Sequence, residues 1–260
     1  MPEILLREEK MIAQIIIYIN IFIIGTVMGS FFTLATYRIP LKQDILYTRS
    51  YCPKCNNKLK FLDLIPILSY IFLKGKCRYC HEKIKPRYII IEFFSGLFYL
   101  LFVVSLKIDF LNIQVEQIAQ LIYGTFMISA FFIVGGIAKE TRKISKGTLL
   151  FGVIIQTIYI IYLYILKFNI YRYIIYWVAL LLMFIIQAFI KDSKNKKIID
   201  LMIIMLFSVI ATNELVFLTS LIFTSIIYIL NKIFKGKNET NIVFYFSFLN
   251  ILFLIIYNFV

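Results

Sequence analysis

The amino-acid sequence predicts an all-α polytopic membrane protein. Hydrophobic residues make up 61% of the 260-residue chain, and its mean hydropathy is +0.87. The apolar residues gather in runs of about 20, the length at which an α-helix crosses the hydrocarbon of a bilayer. A soluble domain of this size cannot bury so much Ile, Leu and Phe, so the sequence excludes the soluble class.

About eight transmembrane helices are expected from the hydropathy pattern. The first is long and the sixth is short. The N-terminal stretch lacks the cleavage site of a removable signal, so we expect the first span to be a retained anchor. The predicted bounds are 11–38, 88–106, 117–138, 147–166, 173–190, 199–212, 215–231 and 241–259.

Basic residues predict which connecting segments are cytoplasmic. Of the 28 Lys and Arg residues, 23 fall in segments 38–87, 139–146, 191–197 and 232–237. The positive-inside rule assigns these segments to the cytoplasm. The net charge of +14 therefore reflects topology and predicts membrane lipids with anionic headgroups as partners. Nucleic acid is not expected as a partner, because the charge lies in loops between spans.

The longest connecting segment contains all four cysteines of the chain. They form two C-x2-C pairs, Cys52 and Cys55 in "CPKC" and Cys77 and Cys80 in "CRYC". Two such pairs can place four thiolates around one Zn²⁺, and the neighbouring Lys and Arg favour the thiolate form. Disulfides are the alternative, but the cytoplasm is reducing. We therefore expect a small cytoplasmic zinc-binding loop domain with a structural role.

Three stretches of the N-terminal part resemble the bacterial type IV prepilin peptidases. They are "GSFFTLATYRIP" (29–40), "RSYCPKCNNKLKFLDLIPILSYIFLKGKCRYCHEKI" (49–84) and "RYIIIEFFSG" (87–96). The resemblance implies a multi-pass enzyme of the bacterial cytoplasmic (inner) membrane, with its active site on the cytoplasmic side. Such enzymes remove the basic leader of type IV prepilins or pseudopilins, and many then methylate the new N-terminus.

On this basis the chain is predicted to have three parts. Residues 1–38 form an N-terminal segment with the first transmembrane helix, and residues 39–87 form the four-cysteine zinc-binding loop domain. Residues 88–260 form membrane helices 2–8 with the aspartyl protease core.

The family hydrolyses its substrate with two aspartates. One carboxylate activates a water while the other, protonated, donates to the peptide carbonyl, and their proximity keeps one proton shared between them. A Ser–His or Cys–His pair cannot be built in the membrane, because the single histidine, His81, lies in the cysteine loop. His81 is expected to be a solvated loop residue, with substitution for a metal ligand as the alternative.

The first catalytic aspartate is expected at the end of the third span, in a pattern like I-D-x-x-T-x-x-I-P. This chain has "IAKETRKIS" over residues 137–145, so Ala138 stands at the position of the first catalytic aspartate. The change is either introduced or natural, and the surviving frame around it favours an introduced change. Glu140 is not expected to replace the aspartate, because two positions along a helix turn it to roughly the opposite side.

The second catalytic aspartate is expected in a G-x-G-D-x-K motif at the start of the sixth span. The best match is "KIIDLM", in which Asp200 is the acid, Lys197 and Ile199 stand at the glycine positions, and Met202 replaces the lysine. A helix cap or an interfacial residue is the non-catalytic alternative for Asp200. Asp192, in "KDSK", is the alternative acid.

The resemblance also implies S-adenosyl-L-methionine as a cofactor for methylation, bound through Gly29, Gly75, Lys76 and Glu92. No G-x-G-x-x-G motif follows a strand, so an ordinary dinucleotide-type fold is excluded. The alternatives are structural. Gly29 would allow close helix packing, Gly75 would form a turn, and Glu92 would pair with a loop cation.

The sequence thus favours a prepilin peptidase and N-methyltransferase in which Ala138 has removed one catalytic carboxylate. A type IV prepilin or pseudopilin is the expected partner. The alternative is a natural pseudo-enzyme that binds prepilin leaders without cleavage. A small-molecule transporter is disfavoured, because the spans contain almost no intramembrane charge pairs and no clear inverted repeat.

Overall fold

The computed structural model describes residues 2–190, 193–235 and 241–260. These residues form helices and connecting loops, and no strand is present among them. The predicted all-α membrane class is confirmed. In chain order the helices are α1 (Pro2–Arg38), α2 (Leu68–Phe72), α3 (Arg87–Ser105), α4 (Val115–Thr141), α5 (Lys146–Ile165), α6 (Tyr171–Phe189), α7 (Ser193–Ala211), α8 (Glu214–Lys235) and α9 (Ile242–Phe259).

Each of the eight predicted spans coincides with one long helix. In the described part of the chain, seven of these helices are long and apolar enough to cross a membrane. The remaining helix is α7, whose apolar part covers Ile198–Ala211, and it agrees with the short sixth span expected over residues 199–212.

The chain forms two compact units, Met1–Gln114 and Val115–Val260. In the first unit α1 packs along α3, and glycines allow the two backbones to approach closely. A Cβ on Gly25 would lie 2.8 Å from the Cα of Gly96, and one on Gly29 would lie 2.8 Å from the Cα of Glu92. This small-residue contact is typical of helices packed within a membrane. The predicted three-part division at residues 38 and 87 stays a prediction. Helix α3, which that division assigns to the third part, packs on α1 of the first part.

The loop that follows α1 is anchored by a buried arginine. The Arg38 guanidinium donates to the carbonyl oxygens of Asp44 at 2.9 Å and Thr48 at 2.8 Å. The Asp44 carboxylate accepts in turn from the backbone N–H of Leu46 at 3.1 Å, and this bond, with its neighbours, holds the pKa of Asp44 below its ordinary value. The loop therefore leaves α1 in a defined direction.

The second unit is a bundle in which α4 and α7 run antiparallel. The Tyr123 hydroxyl lies 3.5 Å from the Ile210 carbonyl oxygen, and the rings of Phe131 and Phe207 lie 5.4 Å apart. The contact further along α4 is made by an earlier residue of α7, so the two helices run in opposite directions. The helix α5 packs on α4, α6 packs on α7, and α9 packs on both α4 and α8.

An ion pair defines one end of this bundle. Arg172, at the start of α6, donates to Glu214 at 2.6 Å and to the Val209 carbonyl oxygen at 2.8 Å. These contacts close the end where α7 turns into α8. The end of α4 and the start of α7 consequently meet at the opposite end of the bundle.

Candidate functional site

The four cysteines of the loop gather in one cluster. One Sγ atom from each of Cys52, Cys55, Cys77 and Cys80 lies within 4.8 Å of all the others. The Sγ atoms of Cys52 and Cys80 are 3.8 Å apart. Four sulfurs arranged tetrahedrally at the usual Zn–S distance of about 2.3 Å would be separated by about 3.8 Å. The donor set and its dimensions therefore fit a tetrahedral metal ion, and the cysteines are free thiols rather than disulfides.

The two cysteine pairs adopt the same backbone turn. In the first pair Asn56 has φ 57° and donates its N–H to the Cys52 carbonyl at 2.8 Å; in the second, His81 has φ 56° and donates to the Cys77 carbonyl at 3.0 Å. The left-handed residue turns both sulfurs of a pair to one side. His81 is exposed and stands at this turn position, outside the group of four clustered residues.

Asp63 connects the segment between the pairs to the second pair. Its carboxylate, with a side chain only 2% exposed, lies 2.5 Å from Arg78 Nε. It also accepts from the Lys60 N–H at 3.0 Å and from the Tyr79 hydroxyl at 3.3 Å. Burial opposes ionisation, but these donors outweigh it and lower the pKa of Asp63. Arg78 and Tyr79 lie between Cys77 and Cys80, so Asp63 helps to position the second turn.

The predicted cofactor residues Gly75 and Lys76 lie directly before Cys77. Gly75 has φ +66°, and a Cβ there would lie 3.0 Å from the Tyr70 ring, so this position requires glycine. Lys76 is exposed, and its backbone forms an isolated antiparallel bridge with Lys83. Gly75 therefore forms a turn, as expected if its role is structural rather than cofactor binding.

The other two predicted cofactor residues, Gly29 and Glu92, lie together where α1 crosses α3. Glu92 is buried, and its Oε2 accepts a hydrogen bond from the backbone N–H of Ile67 at 2.8 Å. This partner is a backbone donor rather than the loop cation that the alternative expected. Close helix packing accounts for Gly29. Helix α2 links the Gly29–Glu92 pair to the Gly75–Lys76 pair. Ile67, which bonds to Glu92, immediately precedes α2, and Tyr70, which contacts Gly75, belongs to it.

In the second unit, the helix register brings the two predicted catalytic positions to the same level. Ala138 follows Phe131 by two helical turns on α4, and Asp200 precedes Phe207 by two turns on α7. Seven residues turn a helix by nearly two full turns and advance it by about 10 Å. Because the phenyl rings meet and the helices are antiparallel, a regular helical register carries Ala138 and Asp200 toward the same end of the bundle.

Each of the two positions has a hydrogen-bonded neighbour on another helix. The Gln187 side chain of α6 is buried, and its Nε2 donates to Asp200 Oδ1. The Asn241 side chain donates its Nδ2 to the Ala138 carbonyl oxygen, while its Oδ1 accepts from the Phe244 N–H and caps α9. Ala138 is 1% exposed and Asp200 is half-buried. A carboxylate at position 138 would therefore lie in a largely enclosed place.

The sequence offers two other acids for this site, Glu140 and Asp192. Glu140 is exposed, as expected for a residue on the far side of α4 from Ala138. Asp192, the alternative second acid, lies outside the described residues. Ile199, at one of the lost glycine positions, is buried.

An apolar cavity of about 420 Å³ lies between α7, α8 and α9. Leu201 and Ile242 belong to its wall, and each immediately follows a residue of the site just described, Asp200 or Asn241. Thr224, Ser225 and Tyr228 supply its hydroxyl groups. The cavity therefore extends from the candidate catalytic end along the bundle.

Comparison with known proteins bears on the first unit most strongly. Residues 23–106 match the Bacterial Peptidase A24 N-terminal domain. The chain is 44% identical over 85 residues to a prepilin leader peptidase/N-methyltransferase of Vibrio cholerae, a match that covers 29% of this chain and 34% of the relative. The predicted relationship to bacterial prepilin peptidases is confirmed. The matched residues, 23–106, contain the four cysteines, Gly29 and Glu92.

Two further relatives carry the same name. The Klebsiella pneumoniae prepilin leader peptidase/N-methyltransferase is 29% identical over 136 residues, covering 50% of this chain and 56% of the relative. The Bacillus subtilis protein is 47% identical over 68 residues, covering 26% of this chain and 27% of the relative. The chain thus spans between about a quarter and just over half of these relatives. No solved structure matches it significantly.

Sequence reasoning missed three residues that support the cysteine loop and the second unit: Asp63, Gln187 and Asn241. Gln187 was detectable as an amide within the apolar run "VALLLMFIIQAF", since polar groups within spans are costly. Asn241 was detectable as a capping residue before an apolar run. The ion pair of Asp63 gave no such signal, because its partner lies 15 residues away in sequence.

Proposed function

We propose that this chain has the architecture of a type IV prepilin peptidase whose cleavage centre lies where α4 and α7 meet. The observation that supports the proposal is the antiparallel arrangement of α4 and α7, which carries positions 138 and 200 toward the same end of the bundle. Aspartyl hydrolysis requires two carboxylates close enough to share one proton, and these two positions would supply them. The names of the relatives support a prepilin leader peptide as the substrate class.

In this mechanism Asp200 would supply one carboxylate of the acid–base pair, and the residue at position 138 would supply the other. Gln187 donates to Asp200 Oδ1 and so fixes one oxygen of that carboxylate. With Ala138 in place, the acid–base pair is incomplete. We therefore infer that the chain binds prepilin but cleaves it extremely slowly, because each acid or base role contributes about 10²- to 10⁴-fold in rate.

The basic residues around the same end support a cytoplasmic position in the bacterial inner membrane. Lys139, Arg142, Lys143 and Lys146 follow or flank the end of α4, in agreement with the positive-inside rule. The apolar cavity between α7, α8 and α9 would accept part of the hydrophobic helix that follows a prepilin leader.

For the loop, we propose Zn²⁺ as the ion held by the four cysteines. Four thiolates select a soft or borderline metal, and a complete set of four protein ligands leaves no open position for catalysis. Zinc would therefore stabilise the loop fold rather than take part in hydrolysis. The bent backbone around Ile67 and Gly75 connects this loop to the α1–α3 pair.

Methylation of the new N-terminus is the second proposed activity, since the relatives are named N-methyltransferases. S-adenosyl-L-methionine would supply the methyl group. Of the residues implied by resemblance, Gly29 is accounted for by helix packing and Gly75 by its turn, so Glu92 and Lys76 carry this proposal. The nearby Ser95 hydroxyl is buried and has no hydrogen-bond partner among the described residues, which makes it a further polar group available there.

Restoring the missing carboxylate tests the proposal. Ala138→Asp should give cleavage of the cognate prepilin in detergent or liposomes, whereas Ala138→Asn, of equal size but without an acid, should not. Adding Asp200→Asn to Ala138→Asp should abolish the gain, and adding Asp192→Asn should leave most of it. If Ala138→Asp folds but does not cleave, the natural pseudo-enzyme replaces the peptidase; if Asp192 proves essential, the second acid has been misassigned.

A further inference from the structure

Large apolar side chains are exposed along the segment between the two cysteine pairs. Within residues 61–72 the side chains of Phe61 and Phe72 are both 79% exposed, and Leu62 is 62% exposed. Leu68 and Ile71 are also exposed. We define these five residues as the apolar rim. Aromatic and aliphatic side chains of this size are rarely left in water as a contiguous group.

The only charged side chain within residues 61–72 is withdrawn from the apolar rim. That residue is Asp63, whose buried carboxylate pairs with Arg78 at 2.5 Å. The rim therefore has no formal charge of its own. Lysines flank it on both sides in sequence, with Lys58 and Lys60 before it and Lys74 and Lys76 after it.

A hydrogen bond places this segment beside a membrane helix. The N–H of Ile67 donates to Glu92 at 2.8 Å, and Glu92 is the sixth residue of α3. At 1.5 Å per residue it lies about 7 Å below the first residue of that helix. The 19 residues of α3 reach about 28 Å, close to the thickness of the hydrocarbon core. Ile67 consequently reaches the level at which headgroups give way to acyl chains.

The backbone conformation of Ile67 shows that surrounding contacts hold the segment beside α3. Ile67 has φ +63°, a left-handed conformation that costs a β-branched residue energy and persists only where its surroundings hold it. Its hydrogen bond to the buried Glu92 is such a constraint. The following helix α2 presents Leu68, Ile71 and Phe72 one turn apart on one side.

We propose that the apolar rim is an interfacial membrane anchor, which inserts into the bilayer boundary and binds anionic lipid headgroups through the flanking lysines. Exposed Phe and Leu side chains beside Lys are the pattern of segments that lie in the interface. Each basic residue near an anionic surface contributes to binding. The anchor would hold the cysteine cluster at the membrane surface, and the inference is independent of the cleavage chemistry.

Fluorescence quenching by brominated lipids tests this anchor. Trp177 is the single tryptophan of the chain, so Trp177→Phe provides a silent background for Phe72→Trp and, as a second position, Phe61→Trp. In phosphatidylcholine vesicles containing phosphatidylglycerol, both tryptophans should emit at shorter wavelength than Lys54→Trp, an exposed position of the first cysteine turn. Brominated lipid should quench them about twofold more strongly than Lys54→Trp.

Charge and folding controls make the result decisive. Lys60→Glu with Lys74→Glu should weaken the quenching of the tryptophan at position 72 in anionic vesicles, while bound metal per chain stays constant. The anchor is refuted if both tryptophans are quenched by aqueous iodide as strongly as that at position 54 and are insensitive to brominated lipid. In that case the rim faces water and is free to bind a protein.

Discussion

Gln187 of α6 and Asp200 of α7 are joined by a hydrogen bond from Nε2 to Oδ1. Gln187 is 3% exposed, so its amide lies in an apolar helix where an unpaired polar group would be costly. The pairing gives this amide a physical role. It holds one oxygen of the carboxylate that we propose as the second catalytic acid.

In an Ala138→Asp background, Gln187→Met and Gln187→Glu should each lower kcat about 10- to 100-fold, because a hydrogen bond to a charged group is worth about 1.5–3 kcal/mol. KM should change little, since the substrate is not contacted. Prepilin cleavage at varied substrate concentration measures both constants. Gln156→Met is the matched control, because it removes another buried amide that donates to α7, at the Phe207 carbonyl. Equal losses of kcat in the Gln187 variants and in Gln156→Met would show that Gln187 acts only through packing.

Asn241 should tie the end of α4 to α9 through two separate bonds. Asn241→Asp keeps the oxygen that caps α9 but loses the donor to the Ala138 carbonyl, whereas Asn241→Ala loses both. We expect Asn241→Ala to destabilise the protein by about 1 kcal/mol from the cap alone. Asn241→Asp should retain most stability but reduce cleavage in the Ala138→Asp background. Thermal unfolding and cleavage assays separate the two effects, and an unchanged rate in Asn241→Asp would contradict the positioning role.

Purified protein should contain about one zinc per chain, because four thiolates complete a tetrahedral shell. Cys77→Ser should lose the metal, since one soft ligand is removed, and His81→Ala should retain it. Atomic absorption and thiol titration measure these quantities. Finding no metal in protein purified without chelator, together with oxidised cysteines, would contradict the zinc site.

Asp63→Asn should weaken metal retention without removing a ligand. The variant loses the ion pair to Arg78, which helps to set the turn between Cys77 and Cys80. Supporting partners around a metal site commonly contribute about 10- to 100-fold in affinity. Competition with a chromophoric chelator measures this loss, with Asp44→Asn, a loop carboxylate remote from the cysteine turns in sequence, as the control. Equal affinities for Asp63→Asn and the parent chain would show that the pair is not needed.

Methylation should survive the alanine at position 138. If Glu92 belongs to the methyl-transfer site, this chain should methylate a pilin that has already been cleaved, and Glu92→Gln should stop it. The measurement is transfer of labelled methyl from S-adenosyl-L-methionine to the pilin N-terminus. Retained binding of uncleaved prepilin by Glu92→Gln would show that the variant still folds. Undiminished transfer by Glu92→Gln would exclude this role for Glu92.

Hydropathy and spacing were sufficient to predict the membrane class, the positions of the long helices and the clustering of Cys52, Cys55, Cys77 and Cys80. These properties follow from local composition. A run of apolar residues forms a helix wherever water is absent, and two C-x2-C turns carry their ligands with them. The same local reasoning predicted the short sixth span, whose apolar part is Ile198–Ala211.

Contacts between distant residues were decided only by the tertiary structure. Nothing in the apolar sequence indicates that Phe131 meets Phe207, and it is this packing that sets the register of α4 against α7. Likewise the buried Glu92 is bonded to a strained Ile67, although a loop cation was the simpler expectation. Side chains in a close-packed interior take partners by shape and by the need to satisfy buried polar groups, and both depend on how the helices assemble.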